Sequence, residues 1–147
     1  MMKIARFESD GGAKIGIVRG EKIIGATGAI DGLPTGMNDL IGNFENFRAA
    51  LSALSDSQGN WQNLSDVKLL APVERPGKIL AKGLNYADHI AETGHETPKQ
   101  QIWFTKAPTA INGPYDPIEL PRTSPESVDY EVELVAVIGK GGRHISR

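Results

Sequence analysis

Proline is distributed unevenly along this chain of 147 residues, and that distribution constrains the fold more than any other feature. Residues 1–70 contain one proline, Pro34, whereas residues 71–147 contain the other eight. Proline lacks a backbone N–H and interrupts both helices and central strands. Long helices are therefore excluded from the second part. We predict a domain boundary near residue 70, with domains at 1–70 and 71–147.

The first part is predicted to be a small α+β domain. Short strands are expected at residues 3–7, 14–18 and 22–25, with the Gly11-Gly12 turn between the first two. A helix is expected from about Asn43 to Leu54, because its apolar residues recur along one face: Phe44, Phe47, Leu51 and Leu54. No residue pattern in this domain indicates a reactive site.

The second part is predicted to be rich in strands. Strand-like runs occur at 78–82, 102–106 and 118–120, and prolines separate them. The predicted fold class of the whole chain is therefore α+β and β-rich.

Composition excludes several classes of function. A net charge of −2 and a pI near 5.9 exclude a nucleic-acid partner held by bulk positive charge. The absence of cysteine excludes disulfides, zinc fingers and thiol catalysis. No apolar run approaches the roughly 20 residues of a membrane helix, and the N-terminus lacks a signal-peptide core. We therefore expect a cytoplasmic protein with no membrane partner.

The acidic segment at 128–139 is predicted to be a strand. Positions 128, 130, 132 and 134 are apolar and positions 129, 131 and 133 are acidic, so one face carries three carboxylates about 6.5–7 Å apart. Two interpretations stay open. The face is either solvated, or it binds a hard divalent cation through Glu131 and Glu133 as it runs into Val135 and Val137.

A second candidate group lies at His89 and Glu92. These residues are three apart, so their side chains would touch on a helical turn. A histidine held by a carboxylate can take a proton from water. An ordinary surface pair is the alternative, and we expect His95 and His144 to be surface residues.

Taken in order, four segments resemble the fumarylacetoacetate hydrolase family: residues 78–89, 102–106, 111–114 and 129–140. The first seventy residues are similar to the small N-terminal domain of many bacterial members. The resemblance implies that residues 71–147 begin a mixed β-sandwich or β-roll catalytic domain. The chain would then be the N-terminal half of a longer homodimeric enzyme, and we expect it to be inactive alone.

The resemblance also implies the roles of site residues. Glu131 and Glu133 would bind a catalytic Mg²⁺, or Mn²⁺ or Ca²⁺, whose third protein ligand is absent from this sequence. His89 and Glu92 would be catalytic and would activate water. The implied substrate contacts are Asn85, Tyr86 and Lys106, although Lys106 also fits a surface lysine at a strand end.

The implied reaction is hydrolysis of a carbon–carbon bond in a 1,3-diketo or acylpyruvate-type acid, through a metal-stabilised enolate and an activated water. Decarboxylation, isomerisation or hydration of a 2-oxo acid are alternatives on the same site. A non-catalytic fragment or assembly module that lacks the complete site is the alternative from another class.

Overall fold

An antiparallel sheet of five strands is built from residues 3–70. The computed structural model describes residues 1–146 of the chain. In spatial order the strands are β4-β3-β2-β1-β5. Their bounds are Lys3–Ser9 for β1, Gly12–Arg19 for β2, Lys22–Gly25 for β3, Gln62–Asn63 for β4 and Leu69–Leu70 for β5. The three strands predicted from the sequence are confirmed, and the first two are longer than predicted.

The β1–β2 hairpin fixes the register of the sheet. Gly11 and Gly12 have φ values of +95° and +117°, a left-handed conformation that glycine adopts without a steric penalty. The turn places Phe7 opposite Lys14 and Ile4 opposite Ile17. Because partners in a ladder share a face, alternate residues of β2 are directed to one buried side of the sheet.

Two helices cover that side. They are α1, Met37–Gly42, and α2, Phe44–Asp56, so the helix predicted at about 43–54 is confirmed. Leu40 and Leu51 are buried against Ile15 and Ile17 of β2, with Phe44, Phe47 and Leu54 packed around them. Full burial of one such side chain stabilises the fold by about 1.5–3 kcal/mol.

The chain divides into two compact units. One contains residues 1–74 together with residues from 112 onward, and the other contains residues 75–111. The second unit holds an antiparallel two-stranded sheet of β6, Ile79–Gly83, and β7, Ile102–Lys106, with the short helix α3, Ala87–Thr93, between them. The predicted boundary near residue 70 stays a prediction.

The α+β, β-rich class is confirmed, but two predicted strands are wrong. No strand forms at 118–120 or across 128–139. Val135 and Val137, into which the acidic face was expected to run as it became buried, are 77% and 54% exposed, so that expectation is also wrong. The physical reason is that a strand needs a hydrogen-bonded neighbour, and the part of the chain described here places no strand beside this segment.

The described residues contain no helix that is both long enough and apolar enough to cross a membrane. The longest helix among them, α2, has 13 residues.

Candidate active site

Four of the predicted site residues lie in the turn from β6 into α3 and on α3 itself. Asn85 and Tyr86 lie in the turn, and His89 and Glu92 lie on α3. Tyr86 precedes the helix in an extended conformation, and Gly94 ends it with a φ of +69°. That left-handed glycine is a common helix terminator, so the sequence itself sets the length of α3.

His89 and Glu92 are both exposed. Among residues 1–146, no hydrogen bond or ion pair joins the His89 imidazole to the Glu92 carboxylate, so the carboxylate does not hold the ring in this structure. The backbone carbonyl of His89, by contrast, accepts a hydrogen bond from Thr93 Oγ1 at 3.0 Å. The structure therefore places the pair on one short helix without fixing the ring.

Leu84 is a residue of this turn that sequence reasoning missed. Its φ is +49°, the left-handed region, although it is neither glycine nor asparagine. For a residue with a side chain this conformation costs roughly 1–2 kcal/mol. The signal in the sequence was Gly83-Leu84-Asn85 directly after a strand, a run whose outer residues both favour turns. Here the backbone strain falls on the middle residue, just before Asn85.

Lys106 lies at the far end of the two-stranded sheet from this turn. In the β6–β7 register, Gly83 pairs with Ile102 and Ile79 pairs with Lys106. The two ends of β7 are four residue steps apart, which is about 13 Å. The Lys106 ammonium nitrogen lies 5.3 Å from the centroid of the Phe104 ring. The structure therefore does not bring Lys106 together with Asn85 and Tyr86.

Glu131 and Glu133 lie in the irregular, exposed segment after residue 127. The third acid of the predicted face, Asp129, accepts a hydrogen bond from the Tyr130 backbone N–H at 2.8 Å and so turns onto its own backbone. Within residues 1–146, no three acidic or histidine side chains are grouped so as to hold a metal ion. Two carboxylates have the donor chemistry of a Mg²⁺, Mn²⁺ or Ca²⁺ site but supply only part of its oxygen ligands.

Family comparisons divide the chain into two matched regions. Residues 78–147 match the family described as "Fumarylacetoacetate (FAA) hydrolase C-terminal", and residues 2–72 match "Rv2993c-like, N-terminal". The chain belongs to the fumarylacetoacetate hydrolase family. The first matched region contains all seven of the residues predicted to form the site.

Three relatives illustrate the similarity. The chain is 54% identical over 81 residues to the mitochondrial oxaloacetate tautomerase Fahd2a of Rattus norvegicus, covering 55% of this chain and 26% of the relative. It is 36% identical over 148 aligned positions to the mitochondrial oxaloacetate tautomerase fahd2 of Xenopus laevis, covering 98% of this chain and 46% of the relative. A solved structure, the maleylpyruvate hydrolase of Sphingobium sp. SYK-6 in complex with manganese (II) ion and pyruvate, matches with a TM-score of 0.63 and 34% identity, covering 83% of this chain and 43% of the enzyme.

The frog and Sphingobium proteins align with most of this chain, but the chain covers only 46% and 43% of their lengths. The chain therefore spans a little under half the length of these two relatives. Its fold is that of the fumarylacetoacetate hydrolase family, as predicted.

The predicted cytoplasmic location is wrong, because the tautomerases of rat, cow, human and frog that match this chain are named as mitochondrial. The prediction rested on the absence of a secretory signal and a membrane span. Neither feature bears on mitochondrial import, whose leaders have a different, arginine-rich and amphipathic composition.

Proposed function

We propose that this chain contributes to a metal-dependent enzyme that hydrolyses a carbon–carbon bond in a small 1,3-diketo or acylpyruvate-type acid. One observation carries the proposal. The matched Sphingobium enzyme is a maleylpyruvate hydrolase whose structure holds manganese and pyruvate, a 2-oxo acid. Residues 78–147, which contain every candidate residue, match the family's hydrolase domain.

Glu131 and Glu133 would supply two carboxylate ligands to a divalent cation, Mg²⁺, Mn²⁺ or Ca²⁺. Their oxygen donors suit such hard cations, and both side chains are accessible. When bound, the cation would act as a Lewis acid toward the oxygens of the 2-oxo acid.

His89 would accept a proton from the attacking water, and Glu92 would hold the imidazole. The two residues lie one helical turn apart, so a change of side-chain rotamer on α3 is enough to bring them into contact. Asn85 and Tyr86 precede the same helix and would contact the substrate. Lys106 lies about 13 Å along β7 from that end of the sheet. It would therefore reach only the distal end of a longer substrate.

Keto–enol tautomerisation of a 2-oxo diacid is the second candidate. It is favoured by the 54% identity over 81 residues to proteins named oxaloacetate tautomerases. Tautomerisation moves a proton between a carbon and a carbonyl oxygen and adds no water. The same histidine could serve both reactions, and the fate of water separates them.

We also propose a domain boundary near residue 70 and a homodimer as the working assembly. The boundary is supported by two matched regions that end at residue 72 and begin at residue 78.

Assays of acylpyruvate and oxaloacetate in ¹⁸O-labelled water, with Mg²⁺, Mn²⁺ and Ca²⁺ in turn, would separate the two reactions. These assays use the longest form of the protein that can be produced. Hydrolysis predicts two carboxylic acids, one of which carries the label. Tautomerisation predicts loss of the enol absorbance of oxaloacetate with no carbon–carbon cleavage. Cleavage without label in either acid, or no turnover of either substrate with any of the three cations, would contradict the proposal.

The metal ligands are tested on the same protein by Glu131→Gln and Glu133→Gln. Each exchange keeps the size of the side chain and removes its charge, so Mn²⁺ affinity should fall by about tenfold or more. Glu126→Gln is the matched control, since Glu126 is also an exposed acid of the same region. Unchanged affinity in both test variants would overturn the assignment.

A further inference from the structure

A groove of about 390 Å³ lies within the five-stranded sheet region, far along the sequence from every residue assigned above. Phe7, Ile24 and Leu54 form its apolar part. Phe7 and Ile24 are only 2% and 6% exposed, so this part is held by the core of the domain. The volume is at the small end of ligand pockets.

The other part of the groove is polar and carries one sign of charge. Ser9, Lys14, Asn60 and Gln62 line it, and no aspartate or glutamate does. Lys14 is half-buried. Among the described residues its ammonium group makes no ion pair and no hydrogen bond. An ammonium group without a protein partner is free to form a charge-assisted hydrogen bond with an anion beside it.

Three other polar side chains of the groove also have no protein partners in the described part of the chain. The side chains of Ser9, Asn60 and Gln62 make no hydrogen bonds within residues 1–146. The Thr27 hydroxyl, which also lines the groove, already has a partner, because it accepts a hydrogen bond from the Ile15 backbone N–H of β2 at 2.9 Å. The groove thus combines one positive charge with several polar side chains that have no protein hydrogen-bond partner among the described residues, next to apolar side chains.

We propose that this groove binds a small monocarboxylate with a short apolar body. The carboxylate would pair with Lys14 and accept hydrogen bonds from Ser9 and Asn60, and the apolar body would lie against Phe7, which shares the Lys14 face of the sheet. A single lysine matches one negative charge, which favours a monocarboxylate over a phosphate dianion. The site is independent of the proposed reaction, since it uses none of the same residues.

Two variants remove different features of the groove. Lys14→Met removes the charge and keeps the aliphatic stem. Gly25→Val fills the space, because a Cβ built at Gly25 would lie 3.7 Å from Phe7 Cζ, an ordinary contact distance. Lys3→Met is the matched control, because Lys3 is an exposed lysine of the same sheet that does not line the groove.

The test is a ¹⁵N NMR titration of the 147-residue chain with butyrate, and separately with butyramide, its neutral analogue. Butyrate should shift the amides of Lys14, Gly25 and Gln62 with a saturable Kd of about 1 mM, corresponding to about −4 kcal/mol. Butyramide should not. Lys14→Met and Gly25→Val should each weaken butyrate binding at least about fivefold, and Lys3→Met should leave it unchanged.

Absence of a saturable shift at these amides, an equal response to butyramide, or full binding by Lys14→Met would overturn the proposal. If Gly25→Val does not fold, as its own spectrum will show, the comparison of Lys14→Met with Lys3→Met decides the question.

Discussion

The Glu74 carboxylate lies against the guanidinium group of Arg6, 68 residues earlier, with Oε2 3.1 Å from Nε. These two atoms are shielded from water and face each other as an ion pair without hydrogen-bond geometry. The other oxygen, Oε1, accepts a hydrogen bond from the Met37 backbone N–H at 3.2 Å. Arg6 also donates to the Ala71 carbonyl at 2.8 Å. The pair thus ties residues 71–74 to β1 and to the start of α1.

Glu74→Gln should lower the free energy of unfolding of the N-terminal region by about 1–2 kcal/mol. The substitution keeps an oxygen for the Met37 N–H but removes the negative charge opposite Arg6, whose side chain is only 12% exposed. Urea denaturation followed by Trp61 fluorescence, with Trp103 replaced by Phe in both proteins, measures the effect. Glu45→Gln is the control, since the Glu45–Arg48 pair is solvent-exposed on α2 and its loss should leave the midpoint unchanged. Equal effects of the two substitutions would contradict this role for Glu74.

A second ion pair predicts a pH dependence. Lys68 Nζ lies 3.0 Å from Asp116 Oδ1, and this hydrogen bond, together with the charge of Asp116, raises the pKa of Lys68 above its ordinary value. A raised folded-state pKa stabilises the fold fully below the unfolded-state value of about 10.4 and loses that effect as pH rises through the folded value. Residues 112–117 should therefore loosen above about pH 10.5.

Carbonyl ¹³C shifts of Asn112 and Asp116, followed from pH 8 to pH 12, report that loosening. Lys68→Met should abolish the alkaline transition, because the titrating group is gone. A transition of the same midpoint in that variant would show that another group causes it.

Local sequence signals predicted the parts of the fold that local contacts build. The Gly11-Gly12 turn and the apolar face from Phe44 to Leu54 each act within a few residues, and both predictions are confirmed. The Arg6–Glu74 pair joins residues far apart in the sequence, and no motif marks it. The strand predicted at 128–139 had a correct alternation but no neighbouring strand in the described structure, and alternation alone does not form hydrogen bonds.

The candidate site was predicted only in part for a similar reason. Helix α3 places His89 and Glu92 one turn apart, which the spacing predicted. Within the described residues no hydrogen bond or ion pair joins them, because an exposed pair on a short helix gains little from holding two side chains in one geometry. Lys106 shares its strand with Phe104 as predicted, but the β6–β7 register that separates it from Asn85 is not readable from either strand alone.

His89→Ala should lower kcat by about 10²–10⁴ in the longest form of the protein that shows turnover. The reason is that the imidazole is assigned to proton transfer and not to the metal, so Mn²⁺ affinity should be unchanged. Steady-state kinetics and metal titration on the same preparation measure both. His95→Ala is the control, because His95 is also exposed and close in sequence but has no assigned role. Loss of metal binding in His89→Ala would show that the assigned role is wrong.

Amide hydrogen exchange on the 147-residue chain should be slowest in the N-terminal sheet and fast in the acidic segment. Ile15, Ile17 and Ile23 are fully buried within paired strands, so their amides exchange only when the sheet opens. Val132 and Val135 are 89% and 77% exposed and lie outside any strand, so their amides are open to solvent.

The β6–β7 pair should exchange at an intermediate rate, because its amides are hydrogen-bonded but a two-stranded sheet is only marginally stable. The exposed apolar side chains of the acidic segment also favour association, so the experiment needs a dilution series to identify the monomer. Protection of Val132 as strong as that of Ile17 in a monomer would show that residues 128–139 form a stable strand in solution, which this structure does not have.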